Sequence, residues 1–178
     1  MNGPRSWTVR FATLDDAEAI ESVRIATSKA CFRGIISDTF LDSLSVTPRR
    51  IQRYRDSIAD SECSIVVVAS AGVEIIGMGV GEPLRESENA ADMAEVHAIY
   101  VLPDWQRRGV GGALLEGVTD GLRARGFRAA VLWAPRDRQA TLRFYEANGW
   151  SFDGGEDTFD WHGLVHVVRF ARDLDESR

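Results

Sequence analysis

The sequence predicts a mixed α/β (α+β) fold: a central, mixed but mostly antiparallel sheet of about seven strands, flanked by about four helices, in one domain spanning residues 1–178. Three observations carry this. The run Ser64–Ser70 is rich in β-branched residues and turns at Ala71-Gly72 into Val73–Val80, a hairpin signature. From Gly109 to about Arg125, apolar residues recur at helical spacing. Strand-like and helix-like patterns follow one another in the order β-α-α-β-β-β-α-β-α-β-β.

Each element has a local reason. Val9–Phe11 is a short first strand. Thr13 is a helix N-cap, and Asp15 and Asp16 fall in the first turn, where the helix dipole favours negative charge. Ala17, Ile20, Val23 and Ile25 carry that helix to about Lys29, and Cys31–Leu44 reads as irregular or weakly helical. Thr47-Pro48 starts a second helix, since proline at the first helical position loses no hydrogen bond, and it ends near Ala59. After the hairpin comes a polar loop, Glu82–Ala91, then a strand, Met93–Val101, stopped by Pro103. On the helix from Gly109, Val110, Ala113, Leu114, Gly117, Val118, Gly121 and Leu122 share a face; Arg123 and Arg125 suit its negative end, and Gly126 suits the left-handed cap. Arg128–Ala134 is a strand, and Gln139–Asn148 a helix closed by Gly149. Trp150–Asp153 and Trp161–Phe170 form a last hairpin joined by an acidic loop.

Composition narrows the function classes. With 178 residues, 44% hydrophobic and 27% charged, the chain is an ordinary globular one. No run approaches the roughly 18 apolar residues of a membrane span, and Met1–Arg10 lacks the apolar core of a signal peptide. No membrane partner is expected. Cys31 and Cys63 make neither a disulfide framework nor a metal spacing, so reduced thiols in a cytoplasmic setting are expected, with no metal. A net charge of −6 argues against nucleic acid, whose phosphates need a basic face, and mildly favours a cationic substrate.

The most informative segment is Val101-Leu-Pro-Asp-Trp-Gln-Arg-Arg-Gly-Val-Gly-Gly-Ala113, where a strand ends and a glycine-rich stretch opens a helix. The first amides of a helix lack internal partners and sit at its positive end, which suits an anion. Gly109, Gly111 and Gly112 would let a pyrophosphate approach the main chain, and Arg107 and Arg108 would add charge-assisted contacts. A Walker loop would need Gly-Lys-Ser/Thr, absent here; a dinucleotide fingerprint would need a third glycine, where Leu114 stands.

Gln106-Arg-Arg-Gly109-Val-Gly111 resembles the Q/R-x-x-G-x-G/A motif with which acetyltransferases of the GNAT superfamily bind coenzyme A. Ile99-Tyr-Val-Leu-Pro103 resembles the strand before it, and Phe144-Tyr145-Glu146-Ala-Asn-Gly149-Trp150 the F-Y-E-x-x-G-F block after it. The likeness runs from about Ser64 to Phe170 and is weaker over the first 60 residues. It implies direct transfer of an acetyl group from acetyl-CoA, a co-substrate, to a primary amine of a small molecule or peptide. Backbone groups of Ile99 and Val101 would hold the pantetheine arm like an added strand. The amides from Gln106 through Arg107, Arg108, Gly109, Val110 and Gly111, with Gly112 and Ala113 near them and Phe144 beside them, would hold the pyrophosphate. Tyr145 would protonate the departing thiolate; the plainer alternative is a core aromatic. Relatives often carry Asn seven residues before that tyrosine, whereas this chain has Arg138, which would reach a phosphate or stand exposed at the helix start.

An attacking amine must be neutral, which calls for a base. Glu95 is the first candidate and His97 the second; strand alternation puts both with Ile99 on one face, and Val96, Ala98 and Tyr100 on the other. Asp153, Glu156, Asp157 and Asp160 form an acidic loop that either attracts a cationic amine or is a solvated hairpin tip. Trp105 is placed to cover the cofactor mouth, while Trp133, Phe144 and Trp150 read as core or cleft wall. Cys31 and Cys63 read as small apolar residues. Phe32-Arg33-Gly34 resembles a segment that lines the acceptor cleft in some relatives. Two other functions fit the motif: an inactive acyl-CoA-binding sensor or interaction module, and a transferase of another acyl group. A homodimer through the exposed last hairpin is compatible with the sequence.

Overall fold

The computed structural model describes residues 6–84 and 92–175. Seven strands make one sheet: β1 (Thr8–Phe11), β2 (Ile65–Ala71), β3 (Glu74–Pro83), β4 (Met93–Val101), β5 (Ala129–Pro135), β6 (Ser151–Asp160) and β7 (Leu164–Asp173), in the order β1-β2-β3-β4-β5-β7-β6. Only β4 and β5 run parallel; every other neighbouring pair is antiparallel. Four long helices flank it: α1 (Ala17–Cys31), α3 (Pro48–Ala59), α4 (Val110–Ala124) and α5 (Gln139–Ala147), with the short α2 (Asp38–Ser43) between the first two. This is the mixed, mostly antiparallel architecture expected from the sequence.

Local signals explain most boundaries. The Thr47 hydroxyl accepts from the Arg50 amide, and Pro48 follows it. At the first helix, the Asp16 carboxylate accepts from the Thr13 amide at 2.7 Å and is gripped by Arg10 at 2.6 and 2.9 Å. Cys31–Leu44 is weakly helical, as expected: Ser37 caps the short α2 by accepting from the Phe40 amide. Two expectations need correction. The acidic stretch Asp153–Asp160 is strand rather than loop: it belongs to β6, and the hairpin turns at Trp161-His162-Gly163, with His162 and Gly163 both at positive φ. A bulge between Phe152 and Glu156 lets that strand rejoin β7. Of the polar loop Glu82–Ala91, Glu82 and Pro83 extend β3, and residues 85–91 lie outside the described set.

The core has two layers. On one face α4 buries Val110, Leu114, Leu115, Val118 and Leu122 against Ile65, Val67, Val96 and Leu132. On the other, Ile20 and Val23 of α1 cover Val66, Val68, Met78 and Val80. α4 lies close to β3 because Gly77, Gly79 and Gly81 alternate along its inner face. A Cβ at each would stand 2.7–2.8 Å from a Leu114 or Val118 methyl carbon. That spacing, G-x-G-x-G in a strand, was visible in the sequence as a mark of close approach by another element.

Candidate active site

The site begins where the parallel pair comes apart. β4 and β5 are in register only at Met93↔Ala129, Ala94↔Ala130 and Glu95↔Val131. Beyond Glu95, β4 stays on β3 as far as Val101, and β5 stays on β7 as far as Pro135. The two strands therefore splay into a V that opens toward their carboxyl ends, where open α/β sheets take ligands. Glu95 stands at its apex.

A second irregularity aims the side chains. Val80 pairs with Ala98 and Gly81 with Val96, so His97 is the extra residue of a bulge. Strict alternation fails there. Ala94, Val96, Ile99 and Val101 face α4, while Glu95, Ala98 and Tyr100 face α1 and α3. The expected grouping of Ile99 with Glu95 is corrected by that one inserted residue. Glu95 and His97 do stay together: His97 Nδ1 lies 3.3 Å from Glu95 Oε1, and Nε2 lies 3.7 Å from Glu82 Oε2. Burial opposes a charge on the ring, but the hydrogen bond to Glu95 and the charges of Glu95 and Glu82 outweigh it and raise the His97 pKa above its usual value. Glu82 was not singled out in the sequence, because only cross-strand register brings it beside His97.

At the open end of the V lies the glycine segment. Arg107 (φ 59°) and Gly109 (φ 82°) are both left-handed, and among the described residues no side chain caps the start of α4. The amides of Val110, Gly111 and Gly112 precede the first bond of the helix, Ala113 N–H to the Gly109 carbonyl at 3.1 Å. This bent run with uncapped amides fits a phosphate group. The glycines divide the work. Gly109 supplies the positive φ. Gly111 and Gly112 have a packing reason: their Cβ positions would meet the Phe144 ring of α5 at 3.4 Å and Oδ1 of Asn148, the residue after α5, at 2.9 Å. Gln106 spends its side chain inside the protein, donating from Nε2 to the Val101 carbonyl at 3.0 Å and to Cys31 Sγ at 3.4 Å. Arg108 lies over the Trp105 ring at 5.6 Å, and that ring is buried in the core rather than covering the cofactor mouth.

Arg138, the last residue before α5, reaches across to the end of α1. It donates to the Cys31 carbonyl at 2.8 Å and the Arg33 carbonyl at 3.4 Å. Cationic side chains suit the negative end of a helix. Tyr145, on α5, comes from the α4 side, with its ring 5.2 Å from Phe144 and 5.9 Å from Phe170. Burial, with the nearby Tyr100, pushes its pKa up to about 12. Tyr100 itself packs on the opposite face of the sheet. The acidic residues of β6 are largely engaged: Asp153 pairs with Arg169 at 2.8 Å, Glu156 with Arg136 at 2.5 Å, and Asp160 accepts from Gly163 N at 3.0 Å.

Residues 31–150 match the family model described as "Acetyltransferase (GNAT) family". The chain belongs to the GNAT acetyltransferase family. Like its relatives it is an acetyltransferase enzyme. YuaI of Bacillus subtilis (strain 168), named as an uncharacterized N-acetyltransferase, is 28% identical over 141 residues, 79% of this chain and 78% of that one. Among solved structures, the PaiA N-acetyltransferase of Thermoplasma acidophilum, in complex with coenzyme A, superposes with a TM-score of 0.76 at 19% identity, covering 94% of this chain and 99% of that one. yncA of Salmonella typhimurium, solved with acetyl-CoA, gives 0.76 at 20%, covering 96% and 95%. At such identities these two structures speak for the GNAT fold alone.

Proposed function

We propose that this GNAT enzyme transfers an acetyl group directly from acetyl-CoA to a primary amine. The observation that carries the reading is the V between β4 and β5, with Glu95 at its apex on one face and Tyr145 on the other. The left-handed turn at Arg107 and Gly109 and the free amides of Val110, Gly111 and Gly112 are suited to the pyrophosphate. The unpaired edge of β4 beyond Glu95, which includes Ile99, is suited to the pantetheine arm; the Val101 carbonyl is already taken by Gln106. Both solved relatives named above were determined with a form of the coenzyme, which supports the same choice of donor.

Acetyl-CoA brings a thioester carbonyl activated toward amines. What the chain adds is proton control. An amine arriving as ammonium must lose one proton before attack, and Glu95 is the acceptor we assign, directly or through water. His97 is the group beside it: with both ring nitrogens turned toward carboxylates, it has no lone pair free for substrate when charged. As the C–N bond forms and the C–S bond breaks, the second proton of the nitrogen is balanced by one delivered to sulfur. Tyr145 is the donor. A phenol near 12 carries its proton throughout the physiological range. As the C–S bond breaks that proton passes to sulfur, and the second proton of the nitrogen restores the phenol, so coenzyme A leaves as the thiol and the charges balance.

The test is release of free thiol from acetyl-CoA with a panel of polyamines, aminoglycosides, amino acids and short peptides, against a blank without acceptor for Cys31 and Cys63. Thiol release that depends on one amine is expected. Tyr145→Phe should lower kcat by about a hundredfold or more while KM for acetyl-CoA changes little. Unchanged kcat in that variant removes Tyr145 from the chemistry.

A further inference from the structure

Five half-exposed aromatic rings stand on the Glu95 face of the sheet. Tyr100 of β4 lies 6.5 Å from Phe32 at the end of α1, and Phe32 lies 6.5 Å from Trp161 at the hairpin tip. Trp161 lies 5.8 Å from Phe159 of β6, and Phe159 lies 5.2 Å from Trp133 of β5. The chain of contacts thus starts on β4, leaves the sheet, returns to it on β6 and ends on β5. β4 and β5 are the two strands that splay. The rings form an arc whose two feet straddle the V.

The arc is built to keep its shape. The hairpin tip is pinned to the start of α2: the Ser37 amide donates to the His162 carbonyl at 3.2 Å, and the Phe40 ring stacks on the His162 ring at 3.5 Å, 14° from parallel. Trp133 is held from outside by Arg169, 5.6 Å over its ring and itself fixed by Asp153. Arg138 ties the end of α1, next to Phe32, to the start of α5. Large rings kept half-exposed and rigid, rather than folded into either core, supply apolar contact at little entropic cost.

We propose that this arc is the acceptor subsite, and that the acceptor is a small primary amine carrying an aromatic or comparably flat apolar body. The proposal rests on the transferase reading above. The rings take the body by stacking, and they attract the arriving ammonium through their faces. Glu95 at the apex takes the nitrogen end. A polyamine or aminoglycoside has no apolar body to offer such a wall and would strip its hydroxyls or ammonium groups of water without replacing the lost hydrogen bonds.

Phenethylamine, n-butylamine, spermidine and kanamycin are compared as acceptors by thiol release, with wild type, Trp161→Ala and the milder Phe159→Leu. The expected result is highest kcat/KM for phenethylamine. Trp161→Ala should raise its KM about tenfold, leave KM for acetyl-CoA unchanged and raise KM for n-butylamine, which has only the ammonium contact to lose, by about threefold or less; Phe159→Leu should do the same to a smaller degree. Spermidine or kanamycin used as well as phenethylamine overturns the proposal. So does an equal loss for every amine in both variants. If acetyl-CoA binds but no amine is acetylated, the transferase reading fails, and quenching of tryptophan fluorescence by phenethylamine decides the arc separately. Quenching that weakens in Trp161→Ala upholds the subsite; quenching unchanged in that variant overturns it.

Discussion

His97 answers to groups on three elements. Glu95 of β4 and Glu82 of β3 raise its pKa, Arg53 of α3 and burial lower it, and Ser64 beside β2 lies 3.5 Å from Glu82. The balance favours the charged ring, so the imidazole loses its proton only above its usual pKa of about 6.5. If activity tracks that proton, the acid limb of kcat/KM against pH belongs to it. Glu82→Gln removes one of the two stabilising charges, so the His97 proton leaves at lower pH and the limb moves the same way. Proton NMR of the His97 ring and the pH–rate profile should shift together. A ring that titrates lower while the rate profile stays put makes His97 a structural residue only. None of this was legible residue by residue. Glu95 and His97 stood out as titratable neighbours two apart on a strand; Glu82 lies 15 positions before His97 and announced nothing.

At the scale of elements, what could be read were the local signals: the Thr47-Pro48 helix start, the β-branched run of β2, the motif that turns β4 into α4. What could not be read were events decided by the sheet. The bulge at His97 flips the faces of β4, and no residue in Met93–Val101 marks it, since the inserted position is chosen by pairing with β3. β6 absorbs Asp153–Asp160 because β7 offers it a partner, and arginines 136 and 169 answer two of its carboxylates. The glycine alternation of β3 gives a test at this scale. Gly79→Ala would bring a methyl group to 2.8 Å from Val118 Cγ2, 2.9 Å from Ile99 Cδ1 and 3.2 Å from Val67 Cγ2, all in the core. Overpacking of this kind costs about 1–3 kcal/mol. The midpoint of urea unfolding should fall accordingly with the slope unchanged. A midpoint that stays in place would mean α4 can lift from the sheet at no cost.

For the molecule as a whole, the glycine segment and the blocks around it announced the fold and the family, and they are the segment proposed for the donor. At the acceptor end only Phe32-Arg33-Gly34 gave a signal; the proposed arc was hidden because its rings come from the end of α1, β4, β5 and the β6–β7 hairpin and meet only after folding. No helix among the described residues is long and apolar enough to cross a membrane. The sheet also has a seam. Among the described residues, only the three register pairs from Met93↔Ala129 to Glu95↔Val131 join β1–β4 to β5–β7 edge to edge, and past them the edges of Val96–Val101 and Leu132–Pro135 have no described strand between them. Such edges belong to the part of a protein that opens most readily, so their amides should trade hydrogen for deuterium sooner than those of β2. A molecule that fills the seam would stitch the halves together. Adding coenzyme A should slow exchange along both edges of the V and leave β1 and β6 at their former rates, making the seam a dial on which occupancy can be read without any chemistry.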